Sequence, residues 1–459
     1  MPELPEVETV KNILEPLVKG KKIAEIDVYF PRLVLTPLSE FKSKLIGATI
    51  TGLSRYGKFL FIHFDNSFVI ISHLRMEGKY RFTKEYNPIR ASSACFKFND
   101  DTYLFYDDTR KFGIMYLTDE EHYLQEKMIA KLGPEANKIQ DSDLPLLYKK
   151  FNKKKPMKAL LLDQEILCGI GNIYADEILY ATKINPLTLG NELSHSQIDE
   201  IAKNAKIILS RAIELGGSTI HSFHPSEGVD GKFQAVLMCY GKEGEICPNC
   251  GTTFHKIYVG GRGTTFCPNC QINKHYEKAI GITGPIGSGK SQVLNHLKDK
   301  GYLTISCDEE IHELYKDPIH KNKISRILKT DFDIDDERKR KIARLIMIEK
   351  PDKKKEVEKY IYPVLEEKLI KYITDNELVA IEVPLLFKAH FEFLFKKIFV
   401  LSLNKEKQVQ NLENRGDSLE ISLKLNSDYH YDKSNKKVIL IENNRSLNDL
   451  FEQIDKNLN

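Results

Sequence analysis

Two tetrapeptides, Cys247-Pro-Asn-Cys250 and Cys267-Pro-Asn-Cys270, have the spacing of paired turn knuckles that set four thiolates tetrahedrally around one Zn2+. Protein atoms then fill every coordination position, so no place is left for a reactive water and the metal is structural. Four unpaired buried cysteines would be the alternative, but that reading does not account for the repeated tetrapeptide. Between the knuckles, Thr252 to Phe266 reads as a hairpin. Gly260, Gly261, Arg262 and Gly263 at its tip would let backbone approach a partner closely beside one cation.

A second pattern, Gly284-Pro-Ile-Gly287-Ser288-Gly289-Lys290-Ser291, follows the apolar strand candidate Ala279 to Thr283 and precedes helix formers from Gln292 to Lys298. That is a phosphate-binding loop in its required context. Its glycines, Gly284, Gly287 and Gly289, with Ser288 between them, let successive N–H groups curl around phosphates. Lys290 would reach the β and γ phosphates of ATP, and the Ser291 hydroxyl would hold Mg2+. Asp308 follows a further short strand, Leu303 to Ser306. A carboxylate there could accept the proton of an attacking hydroxyl or organise Mg2+.

The third candidate is the amino terminus. Pro2 follows Met1 in a context where the methionine is normally removed, which leaves a secondary amine beside Glu3 and near Glu6. With its pKa lowered by the site, such an amine can attack an electrophilic carbon and form an iminium. The same residues suit the opening of a helix from Glu3 to Leu14, since proline and acidic residues favour a first turn. On chemistry alone the helix start suffices.

These groups need several scaffolds. At 459 residues the chain predicts two to four domains. With 41% hydrophobic and 29% charged residues it should fold throughout. No apolar run approaches the ~18 residues of a membrane span. The opening MPELPEVETV is too acidic for a secretion signal. A net charge of +3 names no partner; a nucleic-acid site would need local clusters such as Lys153, Lys154, Lys155 and Lys158, which a solvated face also explains. Cysteine usage fits a reducing cytoplasm, since Cys95, Cys168, Cys239 and Cys307 are scattered.

Short aromatic and β-branched runs (Ile23 to Phe30, Phe59 to Phe64, Phe68 to Ile71, Ala94 to Phe98, Thr102 to Tyr106) predict a β-sandwich or barrel over Lys22 to Tyr116. From about Asp141 the period becomes helical, with Ser196 as a start signal and Gly216 and Gly217 as the stop of one long helix. After the cysteine pairs, the pattern restarts as strand, turn and helix at Ala279.

The segment Pro2-Glu-Leu-Pro-Glu-Val-Glu-Thr9 resembles the amino-terminal signature of formamidopyrimidine-DNA glycosylases. The resemblance continues through Lys58 in RYGKFL, His73 and Met76 in SHLRMEG, DDTRKFG around Arg110 and Phe112, LGPE, GIGNIYADE, GGSTI and YGKEGEICPNC, and covers about residues 2 to 271. It implies a β-sandwich lobe (1–140), a helix-two-turn-helix lobe (141–240) and a zinc hairpin (241–273), with damaged double-stranded DNA bound between the lobes. It further implies that Pro2 attacks C1′ of an extruded nucleotide, Glu3 supplies acid and base catalysis, and Glu6 supports the amine. Lys58, Asn172 and Arg262 would contact phosphates, and His73 would belong to the DNA-binding set. Met76, Arg110 and Phe112 would fill the vacated stack and favour oxidised purines over the pyrimidines of the related endonuclease VIII enzymes. Core packing is the alternative for Met76 and Phe112. The loop Ser218 to Phe233, with Gly228 and Gly231, would cover the extruded base.

Residues 279 to 455 resemble dephospho-CoA kinase, through GITGPIGSGKS, Asp308, the Arg338 to Ile348 helix, Tyr362-Pro363, Val383-Pro-Leu-Leu-Phe387, Arg415 and Ile441-Glu-Asn-Asn444. The resemblance implies an α/β P-loop domain with a parallel sheet (279–459), with Asp308 as base, Arg415 as an ATP contact, and phosphoryl transfer from ATP to the ribose 3′-hydroxyl of dephospho-CoA. The chain departs from that pattern at Ser306, where a second Asp is usual, at Tyr362, where His is usual, and in a lid segment with Arg415 as its sole arginine before Asn435. The whole is read as a cytoplasmic fusion of a repair glycosylase/lyase with a coenzyme A biosynthetic kinase. The alternative is a glycosylase joined to a nucleotide-binding module that lacks kinase activity or regulates DNA binding.

Overall fold

The computed structural model describes residues 1–218, 232–414 and 429–458. Arg415, Gly228 and Gly231 lie outside the described residues. The chain divides into two compact units, Met1–Gln271 and Ile272–Asn459.

In the first unit, short runs rich in aromatic and β-branched residues build eight strands. They are β1 (Ile23–Val28), β2 (Ile50–Tyr56), β3 (Phe59–Phe64), β4 (Phe68–His73), β5 (Lys79–Thr83), β6 (Ser92–Phe98), β7 (Tyr103–Asp107) and β8 (Ile114–Asp119). They form two antiparallel sheets, ordered β1-β6-β7-β5 and β2-β3-β4-β8. Phe96, Phe98 and Leu104 from one sheet and Leu60, Ile62 and Ile70 from the other share a core with Val7, Val10 and Leu14 of the Leu4–Val18 helix. Alternate residues of β3 and β4, Phe61, Val69 and Ile71, point to the other face and pack with Ile129 in a separate cluster, so these inner strands are buried on both sides.

A second core gathers the helices Leu144–Phe151, Met157–Leu162, Asn172–Ala181 and His195–Glu214. The last of these starts at Ser194 rather than Ser196. The Ser194 hydroxyl accepts from Gln197 N–H (3.2 Å) while the Gln197 side chain accepts from Ser194 N–H (3.0 Å). That reciprocal cap needs a partner three residues on, which Ser194 has. Strands β9 (His255–Val259) and β10 (Arg262–Phe266) form the hairpin between the cysteine pairs.

In the second unit, β11 (Ala279–Thr283), β12 (Leu303–Ser306), β13 (Val379–Glu382), β14 (Lys397–Ser402) and β15 (Val438–Glu442) form a parallel sheet ordered β12-β13-β11-β14-β15. All residues of β11 and β13 are buried, as expected of central parallel strands covered on both faces. After β11 the chain adds β12 and β13 on one side of it and then crosses to add β14 and β15 on the other. The crevice at the carboxyl end of β11 is therefore the place where doubly wound sheets bind ligands. Tyr362 and Pro363 fall inside the continuous Pro351–Asp375 helix.

Candidate active sites in the two units

The amino-terminal segment meets the loop Gly169-Ile-Gly171. Leu4 N–H donates to the Gly169 carbonyl (3.0 Å). A Cβ on Gly169 (φ +99°) would collide with the Leu4 side chain, and one on Gly171 with the Glu3 carboxylate, so only glycine permits this approach. The Glu3 carboxylate thereby reaches the start of the Asn172–Ala181 helix. There it accepts from N–H of Gly171 (2.5 Å), Ile173 (2.9 Å) and Tyr174 (3.4 Å). Burial still dominates: Glu3 is 2% exposed, and its pKa is pushed up to about 7, with nearby Lys58 and the backbone donors offsetting part of the shift.

Lys58, in the turn between β2 and β3, donates from Nζ to the Ile170 carbonyl (2.7 Å), and burial lowers its pKa against the opposing pull of Glu3 and Glu6. Glu6 accepts from Glu3 N–H (2.8 Å), the Tyr174 hydroxyl (2.6 Å) and Ser218 N–H (2.8 Å). Buried Pro2 adjoins this group. Pro2, Glu3, Glu6 and Lys58 are thus brought together, joined by Tyr174 and Ser218, whose part in the site the sequence pattern does not reveal. The signal that Tyr174 carries is its place two residues after Asn172, inside the GIGNIYADE string.

Arg262 begins β10 and is exposed, yet near enough to Lys58 that its charge helps lower the lysine's pKa. Asn172 Nδ2 donates to the Gly263 carbonyl (2.9 Å), which ties the helix start to the hairpin. Lys158 leaves the surface cluster expected of it. It is fully buried, with Nζ 2.5 Å from Asp176 Oδ1 and 2.9 Å from the Asn172 carbonyl. A charged group so placed persists because it is paired and hydrogen-bonded.

His73, at the end of β4, accepts at Nδ1 from Arg75 N–H (2.9 Å), and burial, with the Arg75 and Lys58 charges, drives its pKa down to about 3. Met76 is half-buried and Arg110 exposed. Phe112 is 54% exposed, which removes core packing as its role. The Arg110 guanidinium lies 5.1 Å from the Phe112 ring centroid.

The Sγ atoms of Cys247, Cys250, Cys267 and Cys270 all lie within 4.8 Å of one another. Zn–S bonds of ~2.3 Å require such a cluster, so the four residues fit a tetrahedral structural Zn2+. Cys95, Cys168 and Cys307 are buried elsewhere, whereas Cys239 is buried in the same cluster as Cys247 and Cys267.

In the second unit, Gly284 (φ +155°), Gly287 (φ +83°) and Gly289 (φ +96°) shape the loop between β11 and the Lys290–Asp299 helix. This loop, with Ser288, Lys290, Ser291, Ser306, Asp308 and Glu382, lines a cleft of about 550 Å³. Lys290 Nζ lies 3.1 Å from the Gly284 carbonyl and 3.8 Å from Glu382 Oε1. Glu382, at the end of β13, is a site residue that the sequence motifs do not mark. Its Oε2 accepts from the Ser306 hydroxyl (3.1 Å). Desolvation raises the pKa of both Glu382 and Asp308, and Lys290 opposes the rise in each. The available signal is an apolar run ending on a carboxylate just before Val383-Pro-Leu-Leu-Phe387.

Family models match at residues 1–115 (formamidopyrimidine-DNA glycosylase N-terminal domain), 132–224 (formamidopyrimidine-DNA glycosylase H2TH domain) and 244–272 (zinc finger found in FPG and IleRS). A formamidopyrimidine-DNA glycosylase of Lactobacillus helveticus is 45% identical over 273 residues, 59% of this chain and 99% of that relative. The chain belongs to the formamidopyrimidine-DNA glycosylase family. A Bacillus cereus glycosylase is 43% identical over 279 residues, again 99% of its length. Crystal structures of the Lactococcus lactis glycosylase, one of a mutant with DNA containing Fapy-dG and one of the wild type with DNA containing N7-benzyl-Fapy-dG, match at 43% identity with TM-scores of 0.57 and 0.56. Each covers 59% of this chain and 100% of its own. Beyond the glycosylase part, residues 278–449 match the family model for dephospho-CoA kinase. Among the described residues no helix is long and apolar enough to cross a membrane.

Proposed function

We propose that the chain is a bifunctional cytoplasmic enzyme. Its first unit is a base-excision glycosylase and abasic-site lyase for oxidised purines such as 8-oxoguanine and formamidopyrimidines in duplex DNA. Its second phosphorylates dephospho-CoA with ATP. The observation that carries the first reading is the convergence of Pro2, Glu3, Glu6 and Lys58 in one buried group whose carboxyl titrates near neutrality. Removal of Met1, which is 42% exposed, frees the Pro2 nitrogen. That nitrogen attacks C1′ as the C1′–base bond breaks, and its N–H proton passes to the departing base; Glu3 then protonates the sugar ring oxygen, the C1′–O4′ bond opens, and the nitrogen lone pair completes the iminium. Elimination then cuts the strand on both sides of the sugar. The target must leave the stack for C1′ to be reached. Lys58, Asn172 and Arg262 receive its phosphates, Met76, Arg110 and Phe112 enter the gap, and His73, neutral, belongs to the same DNA-binding set. The lobes follow the ranges 1–140, 141–240 and 241–273, and the zinc thiolates of Cys247, Cys250, Cys267 and Cys270 stiffen the hairpin that carries Arg262.

In the unit 279–459, the P-loop and Lys290 bind ATP, Asp308 accepts the hydroxyl proton, and Arg415 contacts ATP. Ser291, with Glu382 close by, would hold Mg2+, which supplies charge neutralisation on the phosphates. Ser306 and the arginine-poor lid favour a second reading, a nucleotide-binding module without phosphoryl transfer. Incubation of the full chain with an 8-oxoguanine duplex and, separately, with dephospho-CoA and ATP tests both. Strand cleavage and coenzyme A are the expected products; ATP binding without coenzyme A selects the second reading.

A further inference from the structure

The residues proposed to enter the DNA stack sit on two connectors that cross between the sheets side by side. One, residues 74–78, links β4 to β5; the other, residues 108–113, links β7 to β8. Their flanks are paired in register, Lys79 with Asp107 and His73 with Ile114. Neighbouring start and end points alone would leave two loops free to move separately. Contacts at three levels remove that freedom.

At the surface, Thr109 Oγ donates to the Glu77 carboxylate, joining one connector to the other. Beneath this bond, the fully buried Tyr106 ring fills the space under both loops. A Cβ at Gly78 or at Gly113 would overlap the Tyr106 hydroxyl, so both loops close down on this one side chain only because each has a glycine there. Asp108, 1% exposed, then fixes the second connector from within by accepting from N–H of Arg110 (2.9 Å), Phe112 (2.9 Å) and Gly113 (2.8 Å). Lys111, at φ +57°, turns away and donates to the carbonyls of Ala91 (2.8 Å) and Ser92 (3.0 Å), which leaves its neighbours Arg110 and Phe112 exposed to solvent.

We propose that Thr109 and Glu77, seated on Tyr106, latch the two connectors into one preformed wedge, so that Met76, Arg110 and Phe112 enter duplex DNA as a unit. Thr109, Glu77 and Tyr106 are positioning residues for opening the stack and take no part in the chemistry at C1′. The inference rests on the glycosylase reading and deepens it. Pre-organisation lowers the ordering cost of insertion, a cost that arises only where bases must be separated.

The test compares two substrates of the full chain, an 8-oxoguanine–cytosine duplex and a single-stranded oligonucleotide with one abasic site. Thr109→Val should lower kcat/KM on the duplex roughly tenfold, the scale of losing a hydrogen bond to a charged group, and leave single-strand cleavage within about twofold, since no stack has to be opened. Glu77→Ala should do the same, the double variant should be no worse than either single one, and Thr109→Ser should recover duplex activity. Equal losses on both substrates, additive losses, or unchanged duplex activity would overturn the latch. Failure of the wild type to cleave the abasic strand would instead sink the glycosylase reading beneath it.

Discussion

Each unit presents the start of a helix to its candidate site, and the two starts are used in opposite ways. In the glycosylase unit, N–H groups at the head of the Asn172–Ala181 helix already hold a protein carboxylate, that of Glu3. In the second unit, Gly289 precedes the Lys290–Asp299 helix with no side chain capping it. Lys58 and Lys290 are both buried beside carboxylates, at 6% and 9% exposure. Both lysines bond backbone carbonyls, Lys58 that of Ile170 and Lys290 that of Gly284, so the difference lies at the helix starts, one capped by the Glu3 carboxylate and the other by no side chain. A filled helix start suits chemistry on a carbon centre, and an open one suits phosphate binding.

The strongest way to break this contrast is to remove the nucleophile. Pro2→Gly should reduce borohydride-trapped adducts with 8-oxoguanine DNA severely, and Glu3→Gln should slow base release by roughly a thousandfold, within the range for a lost acid–base group. Trapping that survives a blocked terminal amine undiminished would show that another residue attacks. Next in size, Lys290→Ala should cost about a hundredfold or more in coenzyme A formation, followed by mass, while cleavage of damaged DNA stays intact. A matching loss in DNA cleavage would mean that the two units are not chemically independent.

Zinc removal is expected to have an intermediate effect. Chelation should weaken binding of damaged duplex at least about tenfold and leave ATP affinity unchanged, because the four thiolates stiffen only the hairpin of the first unit. Metal analysis should give one zinc per chain; finding none with all four cysteines reduced would remove the site.

The smallest effect is in pH dependence. Glu3 holds its proton up to about pH 7, against an ordinary value of 4.5, because burial penalises its charged form. Single-turnover base release that needs this proton should decline above pH 7, whereas His73, with a pKa near 3, stays neutral and contributes no limb. For stability the folded state binds the extra proton between pH 4.5 and 7. The contribution is therefore full below the unfolded value and lost as pH rises through 7, on the order of 3 kcal/mol at ~1.36 kcal/mol per unit. Thermal unfolding of the first unit should accordingly lose less stability in Glu3→Gln than in the wild type between about pH 5 and 8. Parallel pH profiles for the two proteins would contradict this.

Motifs made of neighbouring residues are legible in the sequence. The cysteine tetrapeptides and the P-loop announce themselves because the turn geometry that positions their ligating atoms is encoded in contiguous residues. Strand candidates in the sandwich are legible as elements, since β-branched and aromatic runs leave few alternatives: Phe59 to Phe64 folds with the expected limits, and the other expected runs differ from the folded strands by at most two residues at an end. Lys158 is not legible: in the sequence it extends the Lys153-Lys154-Lys155 run, and only the fold sets it against Asp176. Glu382 escapes notice because an apolar strand ending in glutamate has no chemistry until β13 is placed beside β11. Phe112 can be read either way, since an aromatic residue's type does not say which side of a loop faces solvent.

The sequence by itself determined which residues could ligate a metal, cradle a phosphate or open a helix, because these capacities depend on side-chain type and short-range backbone geometry. Tertiary structure alone decided what Glu3 is. Its neighbours are Lys58, Gly171, Ile173 and Tyr174, drawn from segments far apart in the chain. The shift of its carboxyl to near neutrality is a sum over burial and charges that no local stretch contains.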